Sequence, residues 1–510
     1  MADSVINNKK IAVNTIYLYI RMMLIMIVSL YTVRVILDAL GIEDYGIYNV
    51  VGSVVAMLAF LRGTMVSASN RFFSVEMVNK NIEDLRKTFS ISLNIYVIIA
   101  LVILVIAETL GLWYVINKLN YPPARAIAVQ IVFQLSLLSF IAQLLTVSYN
   151  AMIIAHERMN IYAYIGIAEV VLKLFLAFAI KNSPIDKFIL YAILMTITDI
   201  LLLVFYYSYC RVNFRESHYK FVWEKSKFKE ILSYTGWNFM GQFAVVLRGQ
   251  GINLLINAFF NPAVNAARAI AYQVESTSIR FSENFFSAVR PQLYKAYSNK
   301  EIEPLFRLID RSTIMCTYML AVIMLPLILN GGYILGLWLK EVPVHTELFM
   351  VLALINGFVD SMSNGVIVSV AATGKIKKCQ IISSVMIAMN IPIAYLALRM
   401  GATPETTVIV SIVISLALVF IRLYLLKEII PLFNSSTHLL LLIKIIVVTV
   451  SSYCLSNFVS TLFENQLTIF ITSSMVAVLL TSIAYYYIVL SKYDCDFIKS
   501  YVLRIVFKKQ

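Results

Sequence analysis

Charged residues are scarce in this sequence. Only 14% of the 510 residues are Asp, Glu, Lys or Arg, whereas 60% are hydrophobic. A soluble globular protein carries about 25% charged residues, which keep its surface solvated. The composition therefore excludes an ordinary soluble chain and indicates a polytopic membrane protein.

Cysteine and histidine are also rare, with five and four residues respectively. The cysteines are dispersed and show no spacing typical of a disulfide framework or a metal site. The histidines are scattered across predicted loops and helix ends: His156, His218, His345 and His438. No phosphate-cradling loop or catalytic triad is recognisable either. We therefore expect no metal, no cofactor and no enzymatic activity.

Acidic residues are outnumbered by basic ones, 28 to 42, which gives a net charge of +14. A basic protein can bind nucleic acid, but the basic residues here concentrate in short loops, 211–229 and 290–311, between hydrophobic runs. That placement fits anionic lipid headgroups and membrane orientation better. We expect membrane lipids as partners, and no nucleic acid.

Hydrophobic runs long enough to cross a bilayer dominate the sequence. A spanning helix needs about 20 mainly apolar residues and satisfies its backbone hydrogen bonds internally, so the runs predict helices. Fourteen are expected, at 11–37, 46–68, 89–116, 126–150, 160–180, 188–209, 231–258, 264–290, 306–330, 347–371, 377–399, 405–426, 438–459 and 467–490. The first is too long for a signal-peptide core and lacks a persuasive cleavage site, so we expect it to be retained.

The distribution of basic residues predicts the orientation, because positively charged short loops stay in the cytoplasm. With the N-terminus inside, 28 of the 42 basic residues are cytoplasmic. Six are external: Lys118, Arg125, Lys181, Lys187, Lys340 and Arg399. We therefore expect both termini to lie in the cytoplasm of a cell bounded by this membrane.

The chain contains an internal duplication. A single constant shift along the sequence aligns Ser67-Ala68 with Ser287-Ala288 and 79–85 with 299–305, without a gap. An even number of helices in each copy predicts two lobes related by an axis along the membrane normal, as in transporters that open alternately to each side. The expected organisation is a six-helix lobe at 1–210, a basic linker at 211–230, a second lobe at 231–427, two additional helices within 438–490 and a basic cytoplasmic tail at 491–510. A channel is disfavoured, since no filter-like segment or repeated charge ring is present.

Eight basic residues are assigned to the bilayer-crossing parts of these runs: Arg21, Arg34, Arg62, Lys173, Arg248, Arg268, Arg280 and Lys444. A charge at bilayer depth costs about 2.5–3.5 kcal/mol on insertion scales, so such residues usually face a protein interior or a watery cavity. Several cations in this position indicate an anionic passenger. Arg62, Arg268 and Arg280 are the first candidates for binding it, followed by Arg248 and Arg21.

Some of these charges have structural explanations. The i, i+4 spacing of Arg34 with Asp38, and of Lys173 with Glu169, favours local ion pairs. Lys444 can reach the interface with its long side chain.

Arg280 with Glu283 is an alternative pair on the predicted helix 264–290, whose one broad face is polar. The repeat counterpart of Arg62 is Ser282, so an ion pair across the lobes and a shared anion site both stay open. Asp199, Asp360 and Glu275 are candidates for coupling to a proton or sodium ion. A buried, hydrogen-bonded carboxylate is the competing interpretation of the two aspartates.

At 40–48 the chain reads Leu40-Gly41-Ile42-Glu43-Asp44-Tyr45-Gly46-Ile47-Tyr48. With the fourteen helices, the duplicated unit and the basic loops, this stretch resembles the polysaccharide-transporter branch of the MATE-like MOP flippase superfamily, which includes Wzx-type O-antigen flippases. The resemblance covers nearly the whole chain. In the second lobe, Asn261 and Ala266 replace the two glycines, which makes the motif a marker of the fold rather than a substrate contact.

The resemblance implies a flippase that moves an undecaprenyl-diphosphate-linked oligosaccharide from the cytoplasmic to the external leaflet of a bacterial inner membrane. It would serve O-antigen, capsule or exopolysaccharide synthesis beside other polysaccharide-assembly proteins. A cationic cavity would receive the diphosphate, which suits arginine, a planar and permanently charged donor. Alternatives are a peptidoglycan-precursor flippase, an ion-coupled drug or small-solute exporter and, less favoured, a glycan polymerase or ligase.

Overall fold

The structure is a computed structural model. It describes residues 8–56, 59–79, 81–117, 122–181, 183–184, 186–260, 262–339 and 342–490. The predicted basic tail, 491–510, lies outside the described residues.

The described residues form helices joined by short connections, and no strand occurs among them. The α-helices are α1 (Asn8–Ala56), α2 (Ala59–Glu76), α3 (Ile82–Ile106), α4 (Leu112–Asn117), α5 (Ala126–Ala155), α6 (Met159–Lys181), α7 (Lys187–Asn213), α8 (Lys225–Phe259), α9 (Pro262–Ser298), α10 (Ile302–Leu329), α11 (Gly331–Trp338), α12 (Thr346–Ser361), α13 (Asn364–Thr373), α14 (Lys377–Ala388), α15 (Asn390–Arg399), α16 (Thr406–Ile429), α17 (Ser435–Ser460) and α18 (Gln466–Ala484). A π-helical segment, Ala107–Gly111, joins α3 to α4, and another, Tyr485–Val489, extends α18.

Within the described ranges, 11 helical segments are long and apolar enough to cross a membrane. They coincide with eleven of the fourteen predicted runs, and the all-helical membrane fold is confirmed. The other three runs, 11–37, 46–68 and 264–290, are helical in α1, α2 and α9 but are not among these segments. In α9 the reason is its many polar residues.

A connection was expected between the first two predicted runs, 11–37 and 46–68, but this part of the chain is helical. The helical hydrogen-bond pattern of α1 continues from Asn8 to Ala56, and no proline lies within it. Leu40 packs near Ile180 at the end of α6, whereas Arg62 reaches the middle of α5. At the corresponding place in the second copy, Pro262 begins a separate helix.

The chain divides into two compact units. Unit 1 comprises the described residues up to Phe243 together with Tyr294–Lys300. Unit 2 comprises Ala244–Leu293 and the described residues from Glu301 onward.

Helix positions reproduce the internal duplication. Helices α3 and α10 begin at Ile82 and Ile302, and α5 and α12 begin at Ala126 and Thr346, so the shift that aligns the two copies relates both pairs. The starts of α7 and α16, Lys187 and Thr406, depart from this shift by a single position. The relation read from the sequence therefore also holds for the helices.

One span of unit 2 is broken where its counterpart in unit 1 is continuous. The span Thr346–Thr373 consists of α12 and α13, which meet at Met362 and Ser363. Side chains replace helical hydrogen bonds at the break: the Ser363 hydroxyl donates to the Asp360 carbonyl at 3.3 Å. Broken helices are tolerated inside a membrane when protein groups satisfy the freed backbone in this way.

The two additional helices, α17 and α18, pack against each other and against α10 in unit 2. Polar contacts hold them there. Asn330 donates to the Ser473 hydroxyl at 3.0 Å, and the hydroxyls of Tyr318 and Ser482 lie 2.9 Å apart. Near the start of α17, His438 Nδ1 lies 2.6 Å from Asp310 Oδ1. The two additional helices, α17 and α18, are therefore part of unit 2.

Corresponding helix ends carry corresponding ion pairs. In unit 1, Arg125 before α5 bonds Asp186 before α7 at 2.5 Å, and it also bonds Asp44 at 2.6 Å. In unit 2, His345 before α12 bonds Glu405 before α16. The shift between the copies relates Arg125 to His345, so both copies bond a basic side chain to a carboxylate at this place.

Glu405 is held in its ionised form. Its burial acts to raise the carboxyl pKa, but hydrogen bonds from its own backbone amide, from His345 and from Thr403 outweigh burial and lower the pKa. A carboxyl group whose pKa is lower in the folded state stabilises the fold above its unfolded pKa, about 4.3 for Glu. That contribution is lost as the pH falls through the folded value.

We therefore expect Glu405→Gln to lower the apparent melting temperature in detergent at pH 7, since a charge-assisted hydrogen bond contributes about 1.5–3 kcal/mol. The difference from the wild type should shrink as the pH falls below the unfolded pKa of about 4.3, and disappear below the lower folded pKa, where the folded carboxyl protonates. The exposed Glu428→Gln is a suitable control, with an expected effect of about 0.5 kcal/mol or less. A difference that persists unchanged at low pH would contradict this role for the Glu405 charge.

Candidate functional site

Arg62 and Asp199 are joined through a third residue in unit 1. The Arg62 guanidinium donates to Gln143 Oε1 at 3.0 Å, and the same amide donates from Nε2 to Asp199 Oδ2 at 3.0 Å. Ser139 also bonds this carboxylate oxygen. Asp199 is buried, which matches the hydrogen-bonded alternative. The chain Arg62–Gln143–Asp199 links α2, α5 and α7.

Arg21 lies against α6 in the same unit. Its guanidinium stacks over the Tyr162 ring at 4.3 Å from the centroid. Gly166 makes this approach possible, because a Cβ at that position would collide with the guanidinium. The Nε atom of Arg21 is buried, and among the described residues it has no hydrogen-bond partner.

The predicted Lys173–Glu169 pair is confirmed, with an Nζ–Oε1 distance of 2.6 Å. The side chains of Arg34 and Asp38 lie outside the described residues, so their pairing stays a prediction. Lys444 is exposed on α17.

Arg268 is the most buried of the predicted cationic residues in unit 2, with 7% of its surface exposed. Its guanidinium donates to the side-chain oxygen of Asn253 on α8 and lies 4.4 Å from the centroid of the Tyr272 ring. Asn265 donates to the Asn253 backbone carbonyl at 3.3 Å. As with Arg21, the buried Nε finds no partner in the described part of the chain.

Glu275 lies two turns further along α9 and is also buried. Arg248, Asp360 and Arg268 surround it electrostatically. The carboxylate lies close to α12 at Gly357, where an added Cβ would be 3.4 Å from Oε1. Three of the predicted binding and coupling residues, Arg248, Arg268 and Asp360, therefore form one charged cluster around Glu275.

Arg422 is a further member of this cluster that the sequence did not identify. It is buried on α16, donates to the Ser363 hydroxyl at 2.6 Å and has Asp360 and Arg248 as charged neighbours. It lies inside the predicted run 405–426 but only four residues from its end, and it was not counted among the intramembrane cations. Three arginines and two carboxylates thus give the unit 2 cluster a positive formal charge.

Arg71 was not counted among the intramembrane cations either. It lies beyond the predicted run 46–68, yet α2 continues to Glu76 and buries it. Its guanidinium lies 4.5 Å from the Phe72 centroid and 5.0 Å from the Tyr234 centroid, and it pairs with Glu230 at 3.8 Å.

The residues of the predicted polar face of α9 differ in their exposure. Arg268 and Glu275 are buried, whereas Gln273 and Arg280 are exposed. The alternative pair of Arg280 with Glu283 is not among the ion pairs of the described residues, where Glu283 binds Arg290 at 3.7 Å. Arg280 is therefore exposed and has no ion pair among the described residues.

Each unit contains a guanidinium group with a buried Nε that has no partner among the described residues, Arg21 in unit 1 and Arg268 in unit 2. An unmatched guanidinium N–H in such an environment favours a phosphate or carboxylate ligand. As for metals, no group of three or more His, Cys, Asp or Glu residues within the described ranges could hold an ion.

No family model matches the sequence, and no curated protein matches it. Solved structures do. A MATE protein in the straight conformation gives a TM-score of 0.71 at 12% identity, covering 83% of this chain and 96% of that chain. A MATE transporter of Vibrio cholerae, in a mutant form, gives 0.65 at 16% identity over 84% and 98%.

A third structure is a MOP superfamily transporter from Pyrococcus furiosus, whose binding pocket is described as having reversed polarity that suggests a different function. It gives a TM-score of 0.67 at 14% identity, over 82% of this chain and 95% of that one. At these identities the similarity shows the fold, which is that of MATE and other MOP superfamily transporters.

The bridging amide of Gln143 provides a test of the unit 1 cluster. Gln143→Leu removes the group that joins Arg62 to Asp199 and leaves both polar groups short of a partner, which costs about 1–3 kcal/mol. We expect a lower apparent melting temperature in detergent. Gln134→Leu is the matched control on the same helix, because Gln134 is exposed and bonds the half-buried Glu108. Equal melting temperatures for the two variants would contradict the bridging role.

Proposed function

We propose that the protein is a flippase that moves an undecaprenyl-diphosphate-linked oligosaccharide from the cytoplasmic to the external leaflet by alternating access. Arg62 and Arg21 in unit 1, and Arg268, Arg248 and Arg280 in unit 2, bind the diphosphate. The glycan serves the synthesis of a surface polysaccharide such as O-antigen, capsule or exopolysaccharide.

The observation that carries this proposal is the excess of arginine in the charged clusters of the membrane-spanning helices. Arg268 is buried and Arg21 partly buried, and each has an Nε atom without a described partner. A charged group at bilayer depth is costly unless it is paired or faces a polar cavity, and an anionic ligand can supply such a partner. A diphosphate presents several oxygen acceptors in the geometry that guanidinium groups bind best.

The fold supports a transporter. Similar structures are described as MATE and MOP superfamily transporters, and one of them, from Pyrococcus furiosus, is associated with a different function through the polarity of its binding pocket. Pocket polarity is therefore a reasonable guide to substrate within this fold. The cationic clusters of the present chain favour an anion over a cationic drug.

We further propose that carboxylates couple transport to an ion gradient. Glu275 and Asp360 share one cluster with Arg248, so protonation of either would change the net charge presented to the substrate. Asp199 is the corresponding candidate in unit 1, although its hydrogen bonds to Gln143 and Ser139 also give it a structural role.

The proposed location is the bacterial inner membrane, with both termini in the cytoplasm and other polysaccharide-assembly proteins as partners. This assignment rests on the distribution of Lys and Arg and on the proposed substrate.

Arginine substitutions test the proposal. In liposomes that contain a labelled lipid-linked glycan, we expect Arg62→Gln and Arg268→Gln to reduce the initial rate of arrival at the opposite leaflet about tenfold or more. Loss of one charge-assisted hydrogen bond, worth about 1.5–3 kcal/mol, predicts this magnitude. Arg280→Gln should have a smaller effect. Lys378→Gln is the control, since Lys378 is exposed and pairs with Glu428 at 2.6 Å.

Membrane insertion and detergent melting should be measured for every variant, so that a rate change is not confused with unfolding. Wild-type rates for all three arginine variants would refute the cationic site. Ion-driven efflux of a small cation, without glycolipid movement, would instead identify an exporter. Elongation of the glycan without translocation would identify an enzyme. Complementation of strains that lack each flippase would separate the polysaccharide substrate from a peptidoglycan precursor.

A further inference from the structure

Unit 1 contains an apolar groove beside its cationic cluster. The groove has a volume of about 380 Å³ and lies between α6 and α7. On α7 it is lined by Leu201, Leu202, Phe205 and Tyr209. Leu201 and Phe205 are more than half exposed, so the groove is open along the surface of these helices.

Two stripes of different chemistry run side by side along α6. The groove is lined by residues at helical spacing on one face: Ile161, Ile165, Ala168 and Leu172. The next residue in each case forms a neighbouring stripe, about 100° further around the helix: Tyr162, Gly166, Glu169 and Lys173. The second stripe carries the contacts with Arg21 and the Glu169–Lys173 ion pair. An apolar face and a charged face therefore meet along one helix edge.

Tyr206 connects the groove to the guanidinium groups. It is buried on α7, and its electrostatic neighbours include Arg21, Glu169 and Arg62. Glu169 also belongs to the groove wall. The apolar surface and both arginines of unit 1 thus lie within one local neighbourhood.

The direction of the groove matches a lipid in one leaflet. Both helices are long and apolar enough to span a membrane, Met159–Ile180 and Lys187–Asn213, so lipid chains are the expected surroundings of the groove. Tyr162 lies about 5 Å from the start of its span, and Leu172 about 20 Å from it, at 1.5 Å per residue. The Arg21 contact is at the shallow end, which is the end predicted to be cytoplasmic. A lipid head bound there would direct its chain along the groove toward the bilayer centre.

We propose that this groove holds the part of the isoprenoid chain nearest the diphosphate, while Arg21 and Arg62 hold the diphosphate itself. The inference rests on the proposed flippase function and adds a site for the lipid half of the substrate. An isoprenoid diphosphate fits better than a phospholipid. Two guanidinium groups match a head that carries two adjacent phosphates, whereas a phospholipid offers one. A groove of this size accommodates a few isoprene units and leaves the rest of the chain in the bilayer.

Photo-crosslinking in liposomes tests the site. The probe is a polyprenyl diphosphate with a photoactivatable group on an isoprene unit close to the head, compared with a phosphatidylglycerol that carries the same group. We expect the polyprenyl probe to label peptides of α6 and α7 that contain 161–172 and 201–209, at least fivefold above phosphatidylglycerol. Arg21→Gln should reduce this labelling, and it should not reduce labelling by a polyprenol without phosphate.

Ala168→Trp fills the groove and should abolish most labelling. Its control is Val97→Trp, which fills a second apolar groove of about 310 Å³ between α3, α5 and α7. Val97 is 42% exposed, so both substitutions add the same ring to an accessible apolar surface. We expect Val97→Trp to retain wild-type labelling. Melting in detergent should confirm that both variants are folded.

Transport of the labelled glycolipid by the wild type, measured in the same liposomes, separates the two proposals. Three results, each accompanied by transport, would overturn the groove assignment without affecting the flippase proposal. They are labelling at other peptides, equal labelling by phosphatidylglycerol, and full labelling of Ala168→Trp. Absence of glycolipid transport by the folded wild type would overturn the flippase proposal and this inference with it.

Discussion

A charge placed in hydrocarbon must find a partner, and this requirement organises the interior of each unit. Arg62 reaches across to Gln143 and through it to Asp199, which ties together three helices that are distant in sequence. Arg268 and Asn253 join α9 to α8, and Arg422 with Ser363 joins α16 to the break between α12 and α13. Apolar packing alone would let such helices slide, because lipid is as apolar as their surfaces. The polar bridges therefore define the helix register, and the same groups constitute the candidate binding site.

Long hydrophobic runs were sufficient to predict most of the fold. Eleven of the fourteen runs coincide with apolar spanning segments, and the shift between the two copies recurs in the starts of α3 and α10. These features depend on neighbouring residues or on a repeated pattern, so they can be recognised in a single sequence. The break at Met362 was not predicted, because neither proline nor a run of glycines marks it. The serine and arginine that stabilise it are 59 residues apart.

The candidate site was predictable only in part. Cations within hydrophobic runs were recognisable, and the Lys173–Glu169 pair followed from helical spacing. Partners from other helices were not, since nothing in the sequence associates Arg62 with Gln143, 81 residues away. Arg71 and Arg422 were not counted among the intramembrane cations, because one lies just beyond a predicted run and the other near the end of one. Their burial depends on how far each helix continues and on what packs against it, which hydropathy does not report.

The two units have similar polar pairs at equivalent helix ends but different charged clusters between those ends. The pairs Arg125–Asp186 and His345–Glu405 occupy equivalent positions, whereas the clusters between the helix ends share almost no residues. At the level where α5 is one unbroken rod, unit 2 has two shorter rods that meet at Ser363. A rod transmits displacement along its axis, and a jointed pair can bend. Bending is therefore easier at the junction of α12 and α13 in unit 2 than within α5 in unit 1.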